Sequence, residues 1–253
     1  AVVNYTGIHP DTRGGLLAEL VGENGEALLL TGKRWKTQRA AAWWSGGFFF
    51  RMNKTTPYQE FYDANKAPDG WTGAGFDDSS WDSAVVIQGR WSDNPPAVLP
   101  WARLVPRDIP FMIDDPVYPA RIERVEENLD IANRIRSEDL STALSMVGQP
   151  VRRSRLDGAE HLLREDGETI AQCTWHPTEQ SEGAHEGVYD PSVTLDFGCV
   201  ISAYPEIKIS GAKGGMIEIG YAERLIDGYF NNSLEGQFAN RYTMKDGEQT
   251  YAP

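Results

Sequence analysis

Cysteine is nearly absent from this 253-residue chain: Cys173 and Cys199 are its whole complement. Two cysteines without CxxC spacing are too few for a disulfide framework and do not suit a thiolate metal site. They are expected to be unpaired and buried, with one bridge between them as the alternative. Long apolar runs are lacking as well. The longest candidate, Ala40 to Phe50, is interrupted by Ser45, Gly46 and Gly47 and falls short of the roughly eighteen residues that a membrane-spanning helix needs. Positive charge is scarce, since 24 Lys and Arg against 37 Asp and Glu leave a net charge of −13. That balance argues against a nucleic-acid backbone or a membrane surface as partner, because either rewards clustered cations. Histidine is limited to His9, His161, His176 and His185. Only His176 and His185, beside Glu179, Glu182 and Glu186, keep metal-ligand company, and a solvated acidic loop is the better account of them. The chain opens on Ala1 without a basic and apolar leader, so localisation stays open, with a secreted or periplasmic place preferred.

What the chain does have is 25 glycines, 15 prolines and 11% aromatic residues, within a 40% apolar composition that can bury a substantial core. Short β-branched and aromatic runs between turn residues predict an all-β class with few short helices. Charge is divided unevenly. Residues 1–110 carry 11 basic and 12 acidic side chains and residues 111–253 carry 13 and 25, giving −1 and −12. Seven of the eight tryptophans lie between Trp35 and Trp101. The expected organisation is therefore two domains, 1–108 and 109–253, joined by the proline-rich stretch that includes Pro95, Pro96, Pro100, Pro106 and Pro110, which cannot sustain a helix or a central strand.

In the first domain Gly14 to Leu20 and Ala27 to Leu30 flank Gly22-Glu23-Asn24-Gly25, a hairpin signal, and Trp35 to Trp44 and Phe48 to Met52 could supply two further strands. Trp43 and Trp44, being adjacent, face opposite sides of any strand, so one of them should be partly exposed. In the second domain Val117 to Val125 opens the pattern. Ser137 then precedes Leu140, Ala143, Leu144 and Val147 on one helical face, ended by Gly148 and Pro150. Strands return at Val193 to Phe197, Glu206 to Ile209 and Met216 to Tyr221, and Ser210 to Gly215 reads as the hairpin turn between the last two. The Asn4, Asn53 and Asn231 sequons are short-motif chance unless the source is eukaryotic.

Three segments, in this order, resemble bacterial α-L-rhamnosidases of the inverting class. The first runs from Phe61-Tyr62-Asp63-Ala64 through Gly70-Trp71 to Phe76-Asp77-Asp78-Ser79-Ser80-Trp81. The second is Trp101-Ala102-Arg103-Leu104-Val105-Pro106-Arg107-Asp108-Ile109-Pro110. The third runs from Leu195-Asp196-Phe197-Gly198 through Gly214-Gly215 to Gly220-Tyr221-Ala222-Glu223-Arg224-Leu225, then Arg241-Tyr242-Thr243 and Tyr251-Ala252-Pro253. The resemblance implies two β-sandwich or jelly-roll domains, the first galactose-binding-like and the second cut off mid-domain. It also implies a partner, the C-terminal (α/α)6 catalytic barrel of the same parent. Hydrolysis in that family rests on two carboxylates in the barrel, one protonating the leaving oxygen and one activating water. Long amphipathic helices are missing from this sequence, so no catalytic residue is assigned and the chain by itself is expected to be inactive.

Phe76 to Trp81 reads as an Asx or Ser turn pinned by its two aromatic ends. Glu60, Tyr62, Asp63 and Asn65, with Trp71 following, form the candidate carbohydrate contact, since they offer oxygen ligands beside aromatic faces. No cofactor is required. Calcium is the ion this chemistry would suit, although about six to eight oxygen ligands would be needed and a bend must bring Glu60 round to Asp63 and Asn65. Some members of the family carry a calcium-dependent rhamnose-binding module, but its ligands do not map onto this chain. Three roles compete: an accessory β-sandwich region of a rhamnosidase-like hydrolase that also touches a rhamnose-containing glycan, a stand-alone carbohydrate-binding module pair, and a structural scaffold packed on a partner domain.

Overall fold

The computed structural model describes residues 15–43, 60–86, 106–130, 140, 144–145, 147–176, 187–230 and 239–252. Within them the chain is all-β. Its strands are β1 (Glu19–Val21), β2 (Ala27–Leu30), β3 (Lys36–Thr37), β4 (Phe61–Asp63), β5 (Asp82–Ser83), β6 (Arg121–Asp130), β7 (Arg155–Asp157) and β8 (Ile170–Gln172). There follow β9 (Thr174–His176), β10 (Gly187–Asp196), β11 (Ile207–Gly211), β12 (Met216–Gly220), β13 (Leu225–Ile226), β14 (Tyr229–Phe230), β15 (Ala239–Thr243) and β16 (Gly247–Tyr251). Two short 3-10 turns, Ala64–Lys66 and Ala159–Leu163, follow β4 and β7. The chain divides into two compact units, Ala1–Trp43 with Asp63–Met112 and Trp44–Tyr62 with Ile113–Pro253.

The first unit holds the hairpin expected at Gly22 to Gly25. β1 and β2 pair antiparallel with Leu20 opposite Leu29, and Gly25 takes φ 81°, the left-handed conformation that glycine adopts without steric cost. β3 pairs with β5, setting Lys36 opposite Ser83. The Trp35 indole donates to the Leu30 carbonyl at 2.8 Å, and the Lys36 ammonium donates to the Trp81 carbonyl at 3.1 Å. Trp43 is half-buried; Trp44, Phe48 to Met52 and the Asn4 and Asn53 sequons lie outside the described residues.

In the second unit β10 runs between β6 and β9. Pro191 sits inside β10 opposite Glu127, past the point where β9 pairing ends at Tyr189, so its missing N–H breaks no bond on the β9 side. β7 pairs with β8 and β13 with β14, while β12, β15 and β4 form a three-stranded sheet. Phe61, Leu140 and Ala239 make the core cluster, with Leu144 packed against it.

Three expectations are corrected. The Gly211 to Gly215 segment is not a hairpin, because β11 pairs with β16 and β12 with β15. Met244, between β15 and β16, exchanges backbone hydrogen bonds with Gly214 and Gly215 and lays its thioether over Gly211 and Gly215. A Cβ at Gly215 would come within 2.3 Å of the Met244 methyl, so the glycines make room for a chain passing from one sheet to another. Leu140 is buried as the helical pattern requires, but Val147 is 65% exposed. The chain there has already turned outward to bridge Glu127 through Gln149; Ser137 and Ala143 lie outside the described residues. Cys173 and Cys199 form no disulfide, yet both are exposed rather than buried. One lies between β8 and β9, next to Thr174 opposite Tyr189, and the other in the coil after the last residue of β10, a separation along the strand that no S–S bond can span.

Candidate functional site

Glu60 and Tyr62 belong to the second unit. β4 alternates as a half-buried strand must: Phe61 is buried in the core under the Arg241 guanidinium, 5.4 Å from its ring centroid, and Tyr62 projects to the other face. There the Tyr62 ring stacks on Tyr242 at 5.5 Å and 7°, while Tyr242 meets Tyr251 at 4.7 Å. The Glu60 N–H donates to Asn240 Oδ1 at 3.0 Å, and its carbonyl accepts from the Arg241 N–H at 2.8 Å, so the residue is fixed by β15. Its carboxylate accepts from the Tyr251 hydroxyl at 2.8 Å. Asn240 in turn donates to the Tyr221 hydroxyl at 3.2 Å, and the Tyr242 hydroxyl donates to Gln249 at 3.0 Å.

Burial raises the pKa of all four phenols. For Tyr251 the hydrogen bond to Glu60 and the Glu60 charge add to the rise. Tyr221 is pushed up to about 12 by burial, against the lowering effect of its Asn240 hydrogen bond. The phenols are thus held neutral, and the Tyr251 hydroxyl donates to the Glu60 carboxylate. The cluster acts as a polar clamp joining β4, β15 and β16.

Asp63, Asn65 and Trp71 fall in the first unit. Asp63 caps the 3-10 turn Ala64–Lys66: Oδ1 accepts from the Asn65 N–H at 3.1 Å and from its side-chain amide at 2.9 Å, and Oδ2 pairs with Lys66 Nζ at 3.1 Å. Burial would raise the Asp63 pKa, but the Asn65 and Lys66 hydrogen bonds outweigh it and the net shift is downward. A cation at this carboxylate would have to displace the Lys66 ammonium. Trp71 is 37% exposed on a run of turns in which the Gly73 N–H reaches the Gly70 carbonyl at 2.8 Å. Further along, Asp77 accepts from the Ser79 N–H at 3.0 Å, which with the Ser79 side chain lowers its pKa, and Phe76 meets Trp81 edge-on at 5.4 Å. That is the Asx turn read from the sequence, although Trp81 is half-buried rather than enclosed. The structure thus brings Asp63 to Asn65 and gives Glu60 a separate partner in Tyr251. Among the described residues no group of three or more His, Cys, Asp or Glu could hold a metal ion; His185, Glu179, Glu182 and Glu186 lie outside them.

Two polar centres in the second unit escaped sequence reasoning. Glu127 on β6 is fully buried, and its carboxylate accepts from the N–H of Arg153 at 2.9 Å, the N–H of Ser154 at 2.7 Å, the Ser154 hydroxyl at 2.8 Å and the Gln149 amide at 3.1 Å. Burial would raise its pKa, but these bonds overcome it and hold the group at about 2. Arg124 lies 3.8 Å over the Tyr229 ring and donates to the carbonyls of Gly228 at 2.7 Å and Asp227 at 3.2 Å. It clamps the β13–β14 turn, where Asp227 and Gly228 have φ 52° and 78°. The Asp-Gly dipeptide was a readable signal for that turn. No protein-family model, curated protein or solved structure matches the chain.

Proposed function

We propose that the chain is an accessory β-sandwich region of an α-L-rhamnosidase-like glycoside hydrolase, supporting a catalytic (α/α)6 barrel of the same parent protein. The observation that carries this reading is the ordered set of three motif segments between Phe61 and Pro253. The reading is supported by what the motif side chains do. Asp77 caps its own turn. Asp196 accepts from the Gly198 N–H at 2.6 Å and pairs with Arg121, Arg241 pairs with Glu218, and Tyr251 donates to Glu60. These groups hold strands and turns together. Glu127, the most buried of the described carboxylates, stays ionised at neutral pH, the opposite of what a general acid needs.

The test compares this chain with the intact native gene product on an aryl α-L-rhamnoside. Hydrolysis is expected from the longer native product and none from the 253-residue chain. Turnover by the chain that survives repurification and disappears on mutating one of its own carboxylates would overturn the proposal. A native product no longer than this chain would do the same.

The exposed Trp71 ring favours a second reading, a carbohydrate-binding module, because a solvent-facing aromatic can stack on a sugar. Calorimetric titration with L-rhamnose, with and without calcium, separates the two. Heat that is lost in Asp63→Ala with the fold intact supports the binding module; no heat in either condition leaves the supporting role.

A further inference from the structure

We draw no further inference here: the strongest candidate, the apolar surface of the β1–β2 hairpin with Leu20, Val21, Leu28, Leu29 and Leu30 open to solvent, carries nothing because no feature of the structure shows what covers it.

Discussion

Glu127 is a buried negative charge whose lost water is replaced by four hydrogen bonds from Gln149, Arg153 and Ser154. Removing the acceptor strands two backbone N–H groups, each costing about 1–3 kcal/mol when buried and unmatched. Glu127→Ala should therefore destabilise the second unit by about 3 kcal/mol in a denaturant titration, and Ser154→Ala, which removes one hydroxyl donor, by about 1 kcal/mol. The pH dependence has a definite sign. The folded pKa of about 2 lies below the ordinary 4.5, so the stabilisation is complete above 4.5 and is lost as pH falls from there towards 2. Glu127→Gln should flatten that acid limb, and an unchanged limb would mean that the carboxylate is not held as described. The neighbours of Glu127 on the same strand face, Val125 and Leu129, are apolar yet 38% and 37% exposed, so alternation along β6 did not announce that Glu127 is enclosed. Its partners lie 22 to 27 residues away, in a loop with no pattern to announce them. Trp81, by contrast, was legible from its turn, though not in depth. Half-buried, it should lose about 2 kcal/mol on change to Ala, below the roughly 3–5 kcal/mol of an enclosed aromatic.

Strand positions were readable where apolar and polar residues alternate, as in β11, whose Ile207 and Ile209 are less exposed than Lys208 and Ser210. Strand partners were not. Alternation specifies which face is buried, while the choice of neighbour depends on contacts between distant segments. Proximity in sequence suggested β12 as the partner of β11; Met244, seated on Gly211 and Gly215, accompanies the pairing of β11 with β16 instead. The β13–β14 hairpin gives the clearest test at this scale. Gly228→Ala would place a Cβ 2.5 Å from the Arg124 guanidinium at φ 78°, combining backbone strain with a clash. A loss of about 2 kcal/mol is expected, with amide exchange at Ile226 and Tyr229 accelerated more than in β6. Arg124→Ala should cost about 1–2 kcal/mol through the lost ring contact and carbonyl bonds. Equal acceleration of exchange throughout the second unit would show that the clamp is not local.

Burial is unequal between the two units. Among the described residues the first buries only Ala42 and Ala64, whereas the second encloses Phe61, Leu140, Tyr189, Ala239, Tyr242 and Tyr251. Since local stability follows buried apolar contact, scanning calorimetry should resolve two transitions with the first unit melting at the lower temperature. A single two-state transition would count against that division. The difference in character between the two halves was visible in charge and tryptophan content. The return of residues 44–62 to the second unit was not, because Pro95 to Pro110 is a break in composition and Trp43 to Asp63 is none. The positions of the two thiols offer a practical handle. Thr174, next to Cys173, pairs with Tyr189 near the start of β10, and Cys199 follows Asp196 at its end, and the strand from Tyr189 to Asp196 spans about 23 Å at 3.3 Å per residue. Both thiols are exposed, so a pair of spin or fluorescent labels would turn the wild-type chain into its own molecular ruler, reporting strand extension in solution without an engineered residue.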